Sequence, residues 1–241
     1  MKISVVVPAF NEERLLPASL RSIQAAMEAF ARRGWASELI VCDNNSTDRT
    51  AAIAREAGAR VVFEPVNQIS RARNAGAAAA GGDWIIFVDA DSYPSAELFS
   101  DAADAIGSAR CIGGGSTVTY ADTHPGAALA VGMWNALSRI TRWAAGSFIF
   151  CEAAAFREAG GFSEELYASE EVDLSRRLKR IARRDRRTMV ILHRHPLLTS
   201  DRKLRLYGWG RLSWFVLKTI VSGGKTLRSR KDCYAWYDGQ R

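Results

Sequence analysis

The hydrophobic pattern along the chain is a series of short apolar runs, each followed by polar residues and then by a longer stretch of helix-forming composition. Ile3 to Val7, Leu39 to Cys42, Val61 to Phe63 and Trp84 to Val88 are the runs of the first half. Trp84-Ile85-Ile86-Phe87-Val88 is apolar at every position, which predicts a strand buried on both faces, as at the centre of a parallel sheet. Ile3 to Val7 predicts a first strand ended by Pro8, with Asn11-Glu12-Glu13 capping or opening a helix over about 14–31. Glu38 to Asp43 repeats the unit, with Asn44 to Asp48 as loop and cap before a helix that runs to Ala57 and stops at Gly58. A third strand over 61–63 leads into an alanine-rich helix over 70–80, closed by Gly81-Gly82. Strands alternating with helices at this spacing predict an α/β fold with a right-handed, mostly parallel sheet flanked by helices.

Beyond Pro94 a helix is predicted to about Ile106. Gly113-Gly114-Gly115 then precedes the alternating run Ser116 to Tyr120, read as a strand entering another part of the sheet. The glycine triplet is not G-x-G-x-x-G and opens no helix, so it is a poor dinucleotide fingerprint. A helix over 125–143 and a buried strand ending at Cys151 follow. Ser169 is expected to cap a helix whose Leu174, Leu178 and Ile181 share one face. A strand at Val190 to Leu192 ends in His193-Arg194-His195-Pro196. The last predicted helix, 204–221, mixes Trp209, Trp214 and Phe215 with Arg205, Arg211 and Lys218.

A chain of 241 residues, 48% hydrophobic, suits one large α/β domain with a C-terminal appendage better than two small domains. Charge divides the chain unevenly. Residues 1–175 hold 14 basic and 22 acidic residues, whereas 176–241 hold 19 and 4. The basic final quarter points to a negatively charged partner such as phosphate, an anionic membrane or nucleic acid. Cys42, Cys111, Cys151 and Cys233 are widely spaced, with neither C-x-x-C nor zinc spacing, so a reducing compartment is the simplest account. The apolar run before Pro8 is too short for a signal peptide, and no segment has the roughly 20 apolar residues of a membrane span. The expectation is a cytoplasmic protein, with peripheral contact at the inner face of a membrane as an option.

Three strands of the first half end in polar groups, at Asn11/Glu12, Asp43/Asn45 and Asp89/Asp91, and all three would line the sheet's carboxyl rim, where open α/β sheets bind ligands. Asp89 and Asp91 project to one side of extended backbone, and their hard oxygens suit Mg²⁺ or Mn²⁺; a solvated Asp-rich turn is the alternative. Carboxylates and amides beside a cation suit a nucleotide diphosphate. Arg71, Arg73 and Asn74, at a helix start, can reach the same rim or face solvent. The second acidic cluster, Glu170-Glu171-Val172-Asp173, opens a helix as its dipole favours, or presents a general base to the rim. His193 is a candidate to complete a metal shell, though His-x-His beside proline also suits a plain loop. Thr199 to Lys203 can cap a helix and offer cations to phosphate.

Assembled, these pieces resemble the family 2 glycosyltransferases. The matching stretches are Val5 to Glu13, Ile40 to Asp48, Ala72 to Gly76, Phe87 to Asp91, Gly160-Gly161-Phe162 and Glu170 to Leu174, in the family's order over roughly 1–180. The resemblance implies a GT-A fold, a Rossmann-like sheet that transfers sugar from a nucleotide-diphosphate donor. Pro8, Ala9, Asn11, Glu12, Asp43, Asn45, Arg73, Asn74, Asp89 and Ala90 are then expected to form the donor site. Pro8, Glu12, Asp43 and Arg73 would hold the nucleotide, Asp89 would meet the ribose or metal side, and Asp91 would ligate Mn²⁺ or Mg²⁺. It implies a 1–200 transferase domain, with 1–110 as the nucleotide-binding half and 111–200 as the acceptor half, and a basic aromatic extension over 201–241.

The resemblance also places the catalytic base in the Glu170-Glu171 pair. Family members usually carry Glu-Asp there, so Glu171 would be a base with one extra methylene, and Asp173 is a substitute. The Gln-x-x-Arg-Trp signature of processive synthases is absent, which points to transfer of a single sugar. Attack by a deprotonated acceptor hydroxyl in a single displacement would invert the anomeric carbon, and the basic aromatic tail makes a lipid-linked acceptor an option. Two rivals are a haloacid-dehalogenase-like phosphatase, from Asp89-Ala90-Asp91, and a basic nucleic-acid- or membrane-binding protein. The phosphatase motif normally follows the first strand rather than the fourth, and the acidic first 175 residues argue against nucleic acid as a partner.

Overall fold

The computed structural model describes residues 1–120, 125–144 and 146–202, together with 214, 218, 219, 222, 225–233 and 237; residues 125–127 are described by their backbone alone. Most of the predicted 204–221 helix therefore lies outside the described residues.

The first half folds as its pattern dictates. Strands β1 (Lys2–Ala9), β2 (Ala36–Asp43), β3 (Arg60–Phe63) and β4 (Trp84–Val88) alternate with helices α1 (Leu16–Ala31), α2 (Thr50–Glu56) and α3 (Ile69–Ala79). These strands pair in parallel, in the order β3-β2-β1-β4. A two-residue strand β5 (Ser92–Tyr93) and helix α4 (Ala96–Gly107) follow, then β6 (Cys111–Tyr120), α5 (Pro125–Thr141), β7 (Phe148–Glu152), α6 (Ala153–Glu158), α7 (Glu170–Arg184) and β8 (Thr188–Thr199). They extend the sheet as β4-β7-β6-β8-β5. β7 runs antiparallel to both β4 and β6, while β6 and β8 are parallel. The carboxyl ends of β1 and β4 border a cleft.

Alternation along the central strands divides the core between the two sheet faces. Val5, Val7, Ile86, Val88 and Phe150 pack with Leu16, Leu20, Ile23 and Phe30 of α1 and Phe99 of α4. Val6, Ile85, Phe87 and Ile149 pack on the other face with Phe156 of α6, Phe162, and Leu174 and Leu178 of α7. Each such fully buried side chain contributes about 1.5–3 kcal/mol.

Several boundaries differ from the sequence reading, each for a local reason. Helix α1 begins at Leu16, with Pro17 in its first turn and no side-chain cap, because Glu12 contributes only its carbonyl, accepting from the Leu15 and Leu16 amides. The Gly113-Gly114-Gly115 triplet lies inside β6 rather than before it. A Cβ at Gly114 would stand 2.0 Å from the Val190 carbonyl oxygen and one at Gly113 2.6 Å from that of Phe150, so this strand is glycine because its neighbours leave no room for side chains. Ser169 does not cap α7 with its side chain; it is left-handed (φ 61°), and its carbonyl takes the Val172 and Asp173 amides instead.

Candidate donor and catalytic site

An open cleft lies over the carboxyl ends of β1 and β4, lined by Pro8, Ala9, Phe10, Glu12, Asn44, Asn67, Ile69, Asp89, Ala90, Asp91, Arg202 and Tyr237. Pro8 and Ala9 end β1, and Asp89 to Asp91 turn out of β4, the Ser92 amide donating to the Asp89 carbonyl at 3.1 Å. The lining carries three carboxylates, Glu12, Asp89 and Asp91, and one cation, Arg202. Arg202, just past β8, donates to both Glu12 carboxylate oxygens, at 2.8 and 2.7 Å, and reaches Asp91 Oδ2 at 3.3 Å. Burial works against the Arg202 charge, but Glu12 and Asp91 outweigh it and raise its pKa.

A second polar group lies behind this floor, centred on Arg73 of α3, which is 1% exposed. Its guanidinium donates to Glu170 Oε1 at 2.6 Å, to Asp89 Oδ1 at 2.8 Å and to the Gly146 carbonyl at 2.8 Å. It stacks 5.1 Å from the Phe162 ring centroid. Removal from water disfavours this cation, but Asp89, Glu170 and Glu171 together raise its pKa above the ordinary arginine value. Glu170 is itself 4% exposed.

Glu171, the next residue, is only partly buried. Its Oε1 and Arg73 Nη2 each lie 3.4 Å from the point that a Cβ on Gly146 would occupy, so both border the same glycine. Burial, then the Glu170 charge, push the Glu171 carboxyl up to about 8; Arg73 and its own backbone amide oppose this, and Asp89 adds to the rise. A carboxyl titrating near neutral pH beside fixed carboxylates is suited to accept a proton.

The structure distributes the other sequence candidates more widely. Asn11 (φ 52°) joins two loops, accepting from the Thr47 amide at 2.8 Å while its own amide donates to Ser46 Oγ at 3.1 Å. Asp43 is buried and accepts from the Ser46 amide at 3.0 Å, and Asn45 is exposed at φ 65°. These three shape the rim beside the cleft. Asn74 faces away from it and brackets Phe162, donating to its carbonyl and accepting from its amide, both at 2.9 Å. Asp173 is held by Arg177 at 2.6 Å, and that arginine in turn donates to the Gly161 carbonyl. His193 is exposed in the segment of β8 that bulges opposite Thr117, with its ring near the Ile191 carbonyl. Neither Asp173 nor His193 lines the cleft.

Tyr237 was legible only as part of a basic aromatic tail, yet it lines the cleft from far along the chain. Its hydroxyl accepts from the Ile69 amide at 3.4 Å, and its ring meets Tyr167 edge-on at 5.4 Å. Asn44, which also lines the cleft, fixes the neighbouring loop: its side chain donates to the Val66 carbonyl at 2.6 Å and accepts from the Gln68 amide at 2.9 Å.

The donor set fits a divalent cation held mainly by substrate. Asp91 and Asp89 supply hard carboxylate oxygens, and a cationic group already lies against Asp91 in the form of Arg202. Among the described residues no three His, Cys, Asp or Glu side chains converge as a protein-only metal site. Mg²⁺ and Mn²⁺ accept this arrangement, one or two carboxylates being completed by phosphate oxygens and water.

A curled α/β sheet with an acidic cleft at the ends of its parallel strands defines the GT-A class of nucleotide-sugar enzymes. The glycosyl transferase family 2 model matches residues 4–158, and the chain belongs to that family. An uncharacterized glycosyltransferase of Mycobacterium tuberculosis is 42% identical over 89 residues, 37% of this chain and 36% of the relative. The chain spans about a third or less of the length of this and other curated relatives, such as the 4,4'-diaponeurosporenoate glycosyltransferase of Staphylococcus haemolyticus, of which 24% is covered. Among solved structures, residues 1–349 of Staphylococcus aureus TarS in complex with UDP-GlcNAc match with a TM-score of 0.64 at 18% identity, covering 93% of this chain and 66% of that one. The mannosyltransferase PcManGT of Pyrobaculum calidifontis, in complex with GDP-Man and Mn²⁺, matches with a TM-score of 0.64 at 16% identity, covering 94% and 62%. At these identities the structural likeness establishes the fold.

Proposed function

We propose that this protein transfers a single sugar from a nucleotide-diphosphate donor to a hydroxyl acceptor, with inversion. The observation that carries the reading is the juxtaposition through Arg73: one buried guanidinium holds Asp89, on the floor of the cleft, and Glu170, beside a carboxyl that titrates near 8. Family membership supports the reaction class, and the UDP-GlcNAc and GDP-Man complexes of the structural neighbours support a nucleotide-sugar donor.

In this reading the nucleotide lies over Pro8 and Ala9 with its diphosphate toward Asp91 and Arg202. A Mn²⁺ or Mg²⁺ held by Asp91, with Asp89 beside it, would supply neutralising charge to the diphosphate. Glu171 takes the proton of the acceptor hydroxyl as that oxygen bonds to the anomeric carbon. The bond from that carbon to the diphosphate oxygen breaks, its electron pair leaving with the nucleotide. Arg202 faces the negative charge that develops there. Arg73 holds Glu170 and Asp89 in place, which leaves Glu171 as the carboxyl free to exchange a proton with the acceptor. A single displacement inverts the anomeric centre. A lipid-linked acceptor, with peripheral contact at an anionic membrane, accounts for the basic final quarter of the chain.

The test is donor turnover. Across a panel of nucleotide sugars with Mn²⁺, one donor should be consumed by the native chain, and Asp91→Ala should abolish that consumption while leaving the melting temperature unchanged. An undiminished rate in Asp91→Ala would refute the site.

A further inference from the structure

Helix α5 carries an apolar stripe that the domain does not use. Leu129, Met133, Leu137 and Ile140 are 68, 66, 43 and 83% exposed, at spacings of four, four and three that keep them on one face. The opposite face is committed to the fold. Val131 and Trp134 pack against the core, and Asn135 brackets Val118 of β6, accepting from its amide at 3.0 Å and donating to its carbonyl at 2.9 Å. Four large apolar side chains in a row on an anchored helix exceed the scattered exposure normal for a monomer.

The stripe runs into a cationic groove. Ile140 lines it together with Arg142, Lys179, Ala182, Arg183, Arg187, Thr188 and Met189, and no carboxylate is in the lining. Lys179 donates to the Thr141 carbonyl at the end of α5, at 2.6 Å. Arg142 and Arg183 are exposed, and Arg187 is held by Glu152. Burial first, and then the Arg183 and Arg142 charges, lower the Lys179 pKa, so the cluster is short of negative charge.

We propose that α5 is a docking helix for an anionic phospholipid bilayer, its stripe entering the acyl boundary while Arg142, Lys179 and Arg183 meet headgroup phosphates. An apolar row bordered by cations is the arrangement of helices that lie in a membrane interface. The assignment rests on the membrane contact proposed above and gives it a surface distinct from both the donor cleft and the 201–241 segment.

The experiment is co-sedimentation of the full chain with vesicles of phosphatidylcholine alone, or with one lipid in three replaced by phosphatidylglycerol. The native chain should pellet only with the anionic vesicles. Arg142→Gln/Arg183→Gln should weaken partitioning roughly 25-fold, since each basic group near such a surface is worth about fivefold. Met133→Glu/Ile140→Glu should weaken it at least about tenfold. Unchanged melting temperatures would exclude misfolding. If the native chain binds and both variants bind equally well, α5 is not the surface; if the native chain does not bind, the membrane contact itself fails, with the transfer chemistry untouched. Self-association of the native chain in lipid-free sedimentation, abolished by Met133→Glu/Ile140→Glu, would assign the stripe to a second copy and overturn the proposal.

Discussion

Replacing Glu171 by glutamine keeps the shape of the side chain and removes its titration, and the structure sets two consequences of known sign. The folded chain holds this carboxyl at about 8 against an ordinary 4.5, through burial and the Glu170 charge. A pKa raised on folding means that the folded state binds the proton more tightly, so the stabilisation is complete below about pH 4.5 and is lost as pH rises through about 8. The full difference corresponds to about 5 kcal/mol, of which water reaching the partly open side chain leaves roughly 2–3 kcal/mol. Glu171→Gln should therefore melt progressively higher than the native chain as pH rises from 5 to 8, by roughly 5–10 °C at the upper end, with no further gain above it. Transfer should fall about 10²–10⁴-fold while the nucleotide still binds, because only the proton acceptor is lost. In the native chain kcat/KM should rise with pH toward about 8. Thermal melts across pH, paired with transfer assays, read both effects. A melting difference that does not change with pH would refute the burial argument, and full transfer by the variant would remove Glu171 as the base.

Two further outcomes follow from the polar groups behind it. Arg73→Met should destabilise the chain by about 3–5 kcal/mol in urea, because it strands Glu170 and Asp89 without their cation; an unchanged midpoint would contradict the bridging role. Arg202→Ala should weaken metal-free binding of nucleotide diphosphates about tenfold, or about 1.4 kcal/mol, measured by calorimetry; equal affinity would show that this guanidinium does not face the diphosphate.

The strands that position the site were legible because their signal is local. Five apolar residues in succession mark β4 without reference to anything else, and Asp89 and Asp91 follow from its end. Glu170 and Glu171 were legible as a pair, but not which of them is locked. Nothing near Arg73 announces that it is buried, since its partners are 16 and 97 residues away. Arg202 stood out only as one of several cations; its pairing with Glu12 spans 190 residues. The Gly113 to Gly115 triplet read as the stretch preceding a strand, whereas it lies within β6 and answers to the carbonyls of the neighbouring strands. His193 followed a strand toward the expected rim, but the β8 bulge turns it outward.

Calorimetric titration of nucleotide diphosphates, with and without Mn²⁺, into the native chain and Asp91→Ala tests the central claim most directly. One nucleotide should bind with an affinity that requires both the cation and Asp91, placing a donor diphosphate over the ends of β1 and β4. Binding that is indifferent to both, or no binding by any nucleotide, would contradict a donor site at this cleft.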